Sequence, residues 1–162
     1  MLFQPILELA QAVLAKARDN NLRIVTAESC TGGLIAAMLT EVPGSSDVLD
    51  CGFVVYSNRA KSDLLGIPAD LIAAQGAVSE AVARAMAERA LKNSDAQIAV
   101  AATGIAGPGG GTALKPVGLV HIAAAREGHA TLHEKHRFGD VGRSEIRYRS
   151  VEAGLCLLQR VL

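Results

Sequence analysis

The chain has 162 residues, with 16 basic and 16 acidic side chains, no formal net charge, 50% hydrophobic residues and 20% charged ones. That length and apolar content suit one domain, residues 1–162, with a substantial core, and they exclude a disordered chain. Zero net charge, two Tyr, three Phe and no Trp provide neither a basic field nor a stacking platform, so nucleic acid is not an expected partner.

Pro5 to Asn20 reads as a helix, with Pro5 in its first turn and Ile6, Leu9, Ala10, Val13, Leu14 and Ala17 on one stripe. A short β-rich run, Leu22 to Val25, leads into a polar octet, Thr26-Ala27-Glu28-Ser29-Cys30-Thr31-Gly32-Gly33. An apolar helix follows from Leu34 and ends near Glu41, before the loop Val42-Pro43-Gly44-Ser45-Ser46. Val48 to Tyr56 is the second strand. Ser57 caps a short helix, Asn58 to Leu65, that carries Lys61; Pro68 starts another, which Gly76 ends; Ser79 caps a longer one, Glu80 to Lys92. Ala96 to Ala102 has the near-continuous apolar character of a central strand, and it runs into a glycine-dense loop, Thr103 to Gly111. Val117 to Ala125 and Ala130 to Phe138 form a hairpin about Arg126-Glu127-Gly128-His129, and Asp140 caps a last helix, Val141 to Val161. Strands alternating with helices, plus one late hairpin, predict an α/β fold: a three-layer α/β/α sandwich around a mixed, mostly parallel sheet.

No apolar run is long and uninterrupted enough to span a bilayer, and Met1-Leu2-Phe3-Gln4-Pro5 lacks the basic region and apolar core of a signal peptide. A cytoplasmic location without a membrane partner is therefore expected. Cys30, Cys51 and Cys156, odd in number and widely spaced, suggest buried thiols in a reducing compartment and not a disulfide framework.

The octet lies at a strand-to-helix junction, the place where open α/β sheets bind ligands. Thr31 is positioned to cap the following helix, and Gly32-Gly33 let a ligand approach bare backbone N–H groups, which suit an anion or a developing oxyanion. Ser29 precedes them as a nucleophile would; a capping turn with surplus hydroxyls is the plainer reading. If the first three strands are parallel, Ser29, Tyr56, Lys61 and Thr103 converge at one sheet edge. No His joins them, so a Ser-Lys pair with neutral lysine as base is the alternative to a triad. That role requires Lys61 to be desolvated; spacing alone favours a solvated helix lysine. The glycine loop is not a P-loop, because Gly110 stands where the phosphate lysine is required, although a backbone anion nest stays open. His129, His133 and His136, with His121 on the preceding strand, lie on or beside an exposed hairpin with no carboxylate-rich or cysteine partner set, so no metal is expected.

Ala27-Glu28-Ser29-Cys30-Thr31-Gly32-Gly33, Gly52-Phe53-Val54-Val55-Tyr56-Ser57-Asn58 with Lys61, Gly76-Ala77-Val78-Ser79 and Thr103-Gly104-Ile105-Ala106-Gly107-Pro108 occur in that order, followed by Lys115-Pro116-Val117-Gly118 and Arg143 with Ile146-Arg147. Together they resemble the C-terminal domain family of the competence/damage-inducible protein CinA, over essentially the whole chain. The resemblance implies an anticodon-binding-domain-like fold, self-association, and nicotinamide-nucleotide amidase activity that converts nicotinamide mononucleotide (NMN) to nicotinic acid mononucleotide and ammonia in pyridine-nucleotide recycling, with no cofactor. By the same resemblance Ser29 is the nucleophile, Lys61 its base, and Tyr56 and Thr103 assist proton transfer. Glu28, Thr31, Gly32, Gly33 and Gly104 then line the substrate, and Arg143 is the candidate for its phosphate. The last helix, with Val151, Leu155, Leu158, Val161, Ala153 and Cys156, offers apolar surface for a self-association interface.

Overall fold

The β-rich run before the octet becomes β1 (Ile24–Glu28), whose five residues are all buried. Its position explains that burial: β1 pairs in parallel with β2 (Leu49–Val54) on one side and with β3 (Ile98–Gly104) on the other. The computed structural model describes residues 3–162; Met1 and Leu2, part of the stretch read above for a leader, lie outside the described residues. Beyond β3 come β4 (Leu119–Arg126) and β5 (Leu132–Arg137), each antiparallel to its neighbour, in the order β2-β1-β3-β4-β5.

Two pairings are parallel and two antiparallel, so the sheet is mixed and the expectation of a mostly parallel one is corrected. The cause is local. A parallel return needs a crossover of a dozen or more residues, normally a helix; the connection from β3 to β4 is long enough but contains no helix, and the turn from β4 to β5 is too short.

Helices α1 (Phe3–Asp19), α2 (Leu34–Thr40) and α6 (Arg143–Val161) cover one face of the sheet. The other face carries α3 (Asn58–Leu65), α4 (Ala69–Gln75) and α5 (Glu80–Lys92). The strands alternate between the two cores: Ile24, Val100 and Ile122 point to the first layer, and Val25, Ala99 and Ala123 to the second.

Some boundaries move for physical reasons. β1 runs three residues into the octet and β3 reaches Gly104, because parallel partners continue to satisfy their backbones. Asp140 does not cap α6; Gly142 at φ 98° is its N-cap, without a side-chain hydrogen bond. The apolar residues of α6 divide. Val151, Leu155 and Leu158 are fully buried against α1, α2 and the sheet, each contributing roughly 1.5–3 kcal/mol of burial, whereas Ala153 is half-buried and Cys156 exposed. Among the described residues, no helix is long and apolar enough to cross a membrane.

Candidate active site

Pairing continues one step past the strand ends. Ser29 N donates to Ala102 O (2.9 Å) and Val55 N donates to Glu28 O (2.9 Å), which sets Ser29, Val55 and Thr103 abreast at the carboxyl edge of the parallel strands. From the adjacent strands β1 and β3 the chain departs to opposite sides of the sheet, toward β2 and toward β4. This is the switch point at which open α/β sheets form their ligand crevice.

Lys61 reaches this edge from α3, whose start is fixed by Ser57 Oγ accepting from Ala60 N (2.9 Å). Its side chain is 1% exposed, and Nζ stands 3.1 Å from Ser29 Oγ, 2.8 Å from Val55 O and 3.2 Å from Tyr56 O. Among the described residues no carboxylate forms a salt bridge with it. Burial pushes the Lys61 pKa below the ordinary lysine value, with the Cys30 thiol acting in the opposite sense. Cys30 is itself pushed up to about 12 by burial, so at neutral pH it is an uncharged thiol that does little to hold a proton on Lys61. A neutral amine has two N–H groups and one lone pair. The carbonyls of Val55 and Tyr56 accept the two N–H groups, and the lone pair is left for the Ser29 hydroxyl.

The loop after Ser29 is built differently from expectation. Thr31 does not cap α2; it is buried and its Oγ1 has no hydrogen-bond partner. Gly33 is the N-cap, and the left-handed φ values of Gly32 (60°) and Gly33 (98°) turn the chain into the helix. The cap itself is Glu28: Oε2 accepts from Gly33 N and Ile35 N (both 3.0 Å), and Oε1 accepts from Ala36 N (2.9 Å). Glu28, expected to line the substrate, is therefore fully buried beneath the helix start. Gly32 N donates to Ser29 O (3.0 Å) and Leu34 N to Thr31 O (3.2 Å), so the amides at Gly32 and Gly33 are occupied. The Thr31 amide has no hydrogen-bond partner among the described residues, and that of Cys30 faces only its own thiol, which moves the candidate anion-accepting donors next to Ser29. From α6, Arg147 holds the other side of these peptides, with Nε donating to Cys30 O (3.1 Å) and Nη2 to Thr31 O (2.9 Å).

The remaining expected residues divide. Thr103 is buried and its hydroxyl donates to Ala77 O (2.8 Å), tying β3 to the segment before α5. Gly104 packs against β4, where a Cβ would lie 2.7 Å from the Val120 side chain and 2.8 Å from Leu119 O; close packing explains this glycine without a ligand. Tyr56 reaches Lys61 only through its carbonyl. The residue is 60% exposed, and its hydroxyl accepts from Arg143 Nη2 (3.2 Å). Arg143 also donates through Nη1 to Gly107 O (2.8 Å), bridging the β2 end to the glycine loop.

On the hairpin's first strand, β4, His121 is covered and not exposed. It is buried opposite Thr103 in the β3–β4 register and stacks on His133, with ring centroids 5.1 Å apart and Nδ1 2.9 Å from Nε2 of His133. Burial, then the His133 charge, pushes it down to about 4, so it is neutral at physiological pH. Among the described residues no three His, Cys, Asp or Glu side chains gather as a metal would require. Of the thiols, only Cys30 is buried; Cys51 is half-buried and Cys156 exposed. Clefts of about 360 Å³ near the β4–β5 turn and about 500 Å³ between β5 and α6 share no residue with the Ser29 group. Sequence reasoning missed the carbonyls of Val55 and Tyr56, which carry no side-chain signal, and the grip of Arg147. The spacing of Arg147 one turn after Arg143 was the available clue.

Comparison with known proteins agrees with this architecture. A family model described as the CinA C-terminal domain matches residues 6–162. CinA-like proteins of Anaeromyxobacter dehalogenans and Syntrophobacter fumaroxidans are 49% and 47% identical over 156 and 154 residues, covering 96% and 95% of this chain. The chain spans only 38% and 36% of those relatives' length. The crystal structure of competence/damage inducible protein CihA from Agrobacterium tumefaciens superposes with a TM-score of 0.95 at 51% identity, covering 96% of this chain and 94% of that one. A CinA superfamily protein from Escherichia coli gives 0.91 at 31% identity, with 97% and 90% covered. Matched along nearly its whole length in both sequence and backbone, the chain belongs to the CinA C-terminal domain family.

Proposed function

We propose that this protein is a nicotinamide-nucleotide amidase that hydrolyses the carboxamide of NMN by a Ser-Lys mechanism. The observation that carries the reading is the buried, carboxylate-free Lys61, whose two carbonyl acceptors leave one position on Nζ for Ser29 Oγ. Neutral Lys61 takes the Ser29 proton as Oγ attacks the carboxamide carbon, and the carbonyl electron pair moves onto oxygen, facing the Cys30 and Thr31 amides. Collapse breaks the C–N bond, and the Lys61 ammonium returns its proton to the leaving nitrogen, which departs as ammonia. Water then gives a proton to Lys61 and attacks the acyl-enzyme; collapse frees the carboxylic acid and restores the Ser29 hydroxyl. No step requires a cofactor.

Arg143 is assigned to the phosphate. Two of its five N–H donors hold Gly107 O and Tyr56 Oη, so the guanidinium is fixed in place and still has donors for an anion. Thr103 acts by fixing the wall of the site, and Tyr56 by anchoring Arg143.

A coupled assay of ammonia release from NMN, with and without EDTA, tests the reading. The wild type should turn over in both conditions. Ser29→Ala should keep its fold and lose turnover by several orders of magnitude, and near-normal turnover in that variant would refute the covalent route.

A further inference from the structure

Arg147 touches neither Ser29 nor Lys61, yet it makes two hydrogen bonds, both to the loop that follows the nucleophile. It approaches from α6, on the sheet face covered by α1, α2 and α6, whereas Lys61 approaches Ser29 from α3 on the opposite face. A trans peptide is planar, and its C=O and N–H point in opposite directions. The Cys30 carbonyl held by Arg147 Nε belongs to the same peptide as the Thr31 N–H. Holding that carbonyl toward α6 therefore turns the Thr31 N–H away from α6, toward the face where Lys61 meets Ser29. The preceding peptide is fixed by the turn itself, since Ser29 O accepts from Gly32 N, and its N–H is that of Cys30. Of these two amides, Thr31 N–H has no partner among the described residues and Cys30 N–H faces only its own thiol.

We infer that Arg147 is a positioning residue for the oxyanion hole: it sets the Cys30–Thr31 peptide plane and so aims the Thr31 N–H at the oxygen that becomes negative during attack. Among the described residues no other hydrogen bond holds Cys30 O. Glu28 holds the amides from Gly33 onward, and Thr31 Oγ1 bonds nothing. The carbonyl of Cys30 would be free to rotate without the guanidinium, and the hole would have to be organised during each turnover. The inference rests on the Ser-Lys reading above but not on NMN as the substrate.

The test uses the full chain with Arg147→Ala, Arg147→Lys and Arg147→Gln, and two reactions. One is ammonia release from NMN; the other is the p-nitrophenolate burst from p-nitrophenyl acetate, which reports acylation of Ser29 whatever the natural substrate. Loss of one oxyanion donor costs about 100- to 1,000-fold in kcat. Misaiming rather than deleting it should cost Arg147→Ala about 10- to 100-fold in kcat and in burst rate, with KM within about threefold of wild type. Millimolar guanidinium should restore part of the rate in Arg147→Ala and none in Ser29→Ala. Arg147→Lys retains the stem and one donor, so it provides a folded variant if the alanine variant melts. A raised KM with unchanged kcat would overturn the inference and make Arg147 a substrate contact. Wild-type burst rates in a folded Lys or Gln variant would overturn it too. A wild type that shows the burst but releases no ammonia from NMN removes the substrate assignment alone.

Discussion

Replacing Glu28 by glutamine changes one atom of a buried group and tests whether that carboxylate serves the fold or the substrate. In the native protein it accepts three backbone N–H groups at the start of α2, two on Oε2 and one on Oε1. The glutamine oxygen can retain the pair from Gly33 and Ile35, but its NH₂ then faces the Ala36 N–H, donor against donor. The loss is one charge-assisted hydrogen bond, about 1.5–3 kcal/mol, plus the penalty of leaving a part-buried amide unsatisfied, about 1–3 kcal/mol. For a chain of this size each kcal/mol lowers Tm by roughly 2–4 °C, so Glu28→Gln should melt about 5–24 °C below wild type. Thermal denaturation followed by far-UV circular dichroism measures it, with a urea titration at constant m as the check on two-state behaviour. KM for NMN should be unchanged at a temperature where both proteins are folded. A Tm within about 2 °C of wild type together with a raised KM would refute the reasoning and return Glu28 to the substrate site.

Lys61→Met should abolish turnover and raise stability at neutral pH, because it removes a buried amine that has no carboxylate partner while preserving its apolar length. The sign follows from the lowered pKa. Between the folded value and 10.5 the unfolded chain binds more protons, so wild-type stability should rise with pH through that window and the methionine variant should lack that slope. By the same titration, wild-type kcat/KM should rise with pH and level off below the ordinary lysine range, and Lys61→Arg should be inactive at every pH, since guanidinium does not deprotonate. Arg143→Ala should lose about ten- to a hundred-fold in kcat/KM for NMN, the worth of one charge-assisted hydrogen bond, and nicotinamide riboside should be nearly indifferent to it. Equal losses on both substrates would place Arg143 in the fold or the chemistry instead.

The order of strands and helices was legible because each element carries its own periodicity: the apolar stripe of α1 and the near-continuous run of β3 leave little choice. Convergence at one sheet edge followed from β1, β2 and β3 being parallel. Competition between groups was not legible. Local propensity offers Thr31 as the cap of α2, but Glu28 has a formal charge and the reach to take three amides, and it displaces the hydroxyl. Backbone acceptors leave no trace in a sequence, so the carbonyls that surround Lys61 had to be seen. Composition does not reveal how many partners a helix has, so the burial of Val151, Leu155 and Leu158 under α1, α2 and the sheet, beside an exposed Cys156, had to be seen. His121 was misjudged for the related reason that a strand's second face is assigned by the layer above it, here α5.

The distance along the chain between the octet and Arg147 has a consequence during biosynthesis. The loop bearing Ser29 and the guanidinium that holds its carbonyls are separated by 116 and 117 residues. At a synthesis rate of about 5–20 residues per second, Ser29 is made roughly 6–25 s before its clamp. Lys61 follows the serine closely, so for most of that interval the nascent polypeptide holds both Ser29 and Lys61 but not the guanidinium that binds the Cys30 and Thr31 carbonyls. The loop should thus take its final form only when α6 docks, after all five strands have been translated.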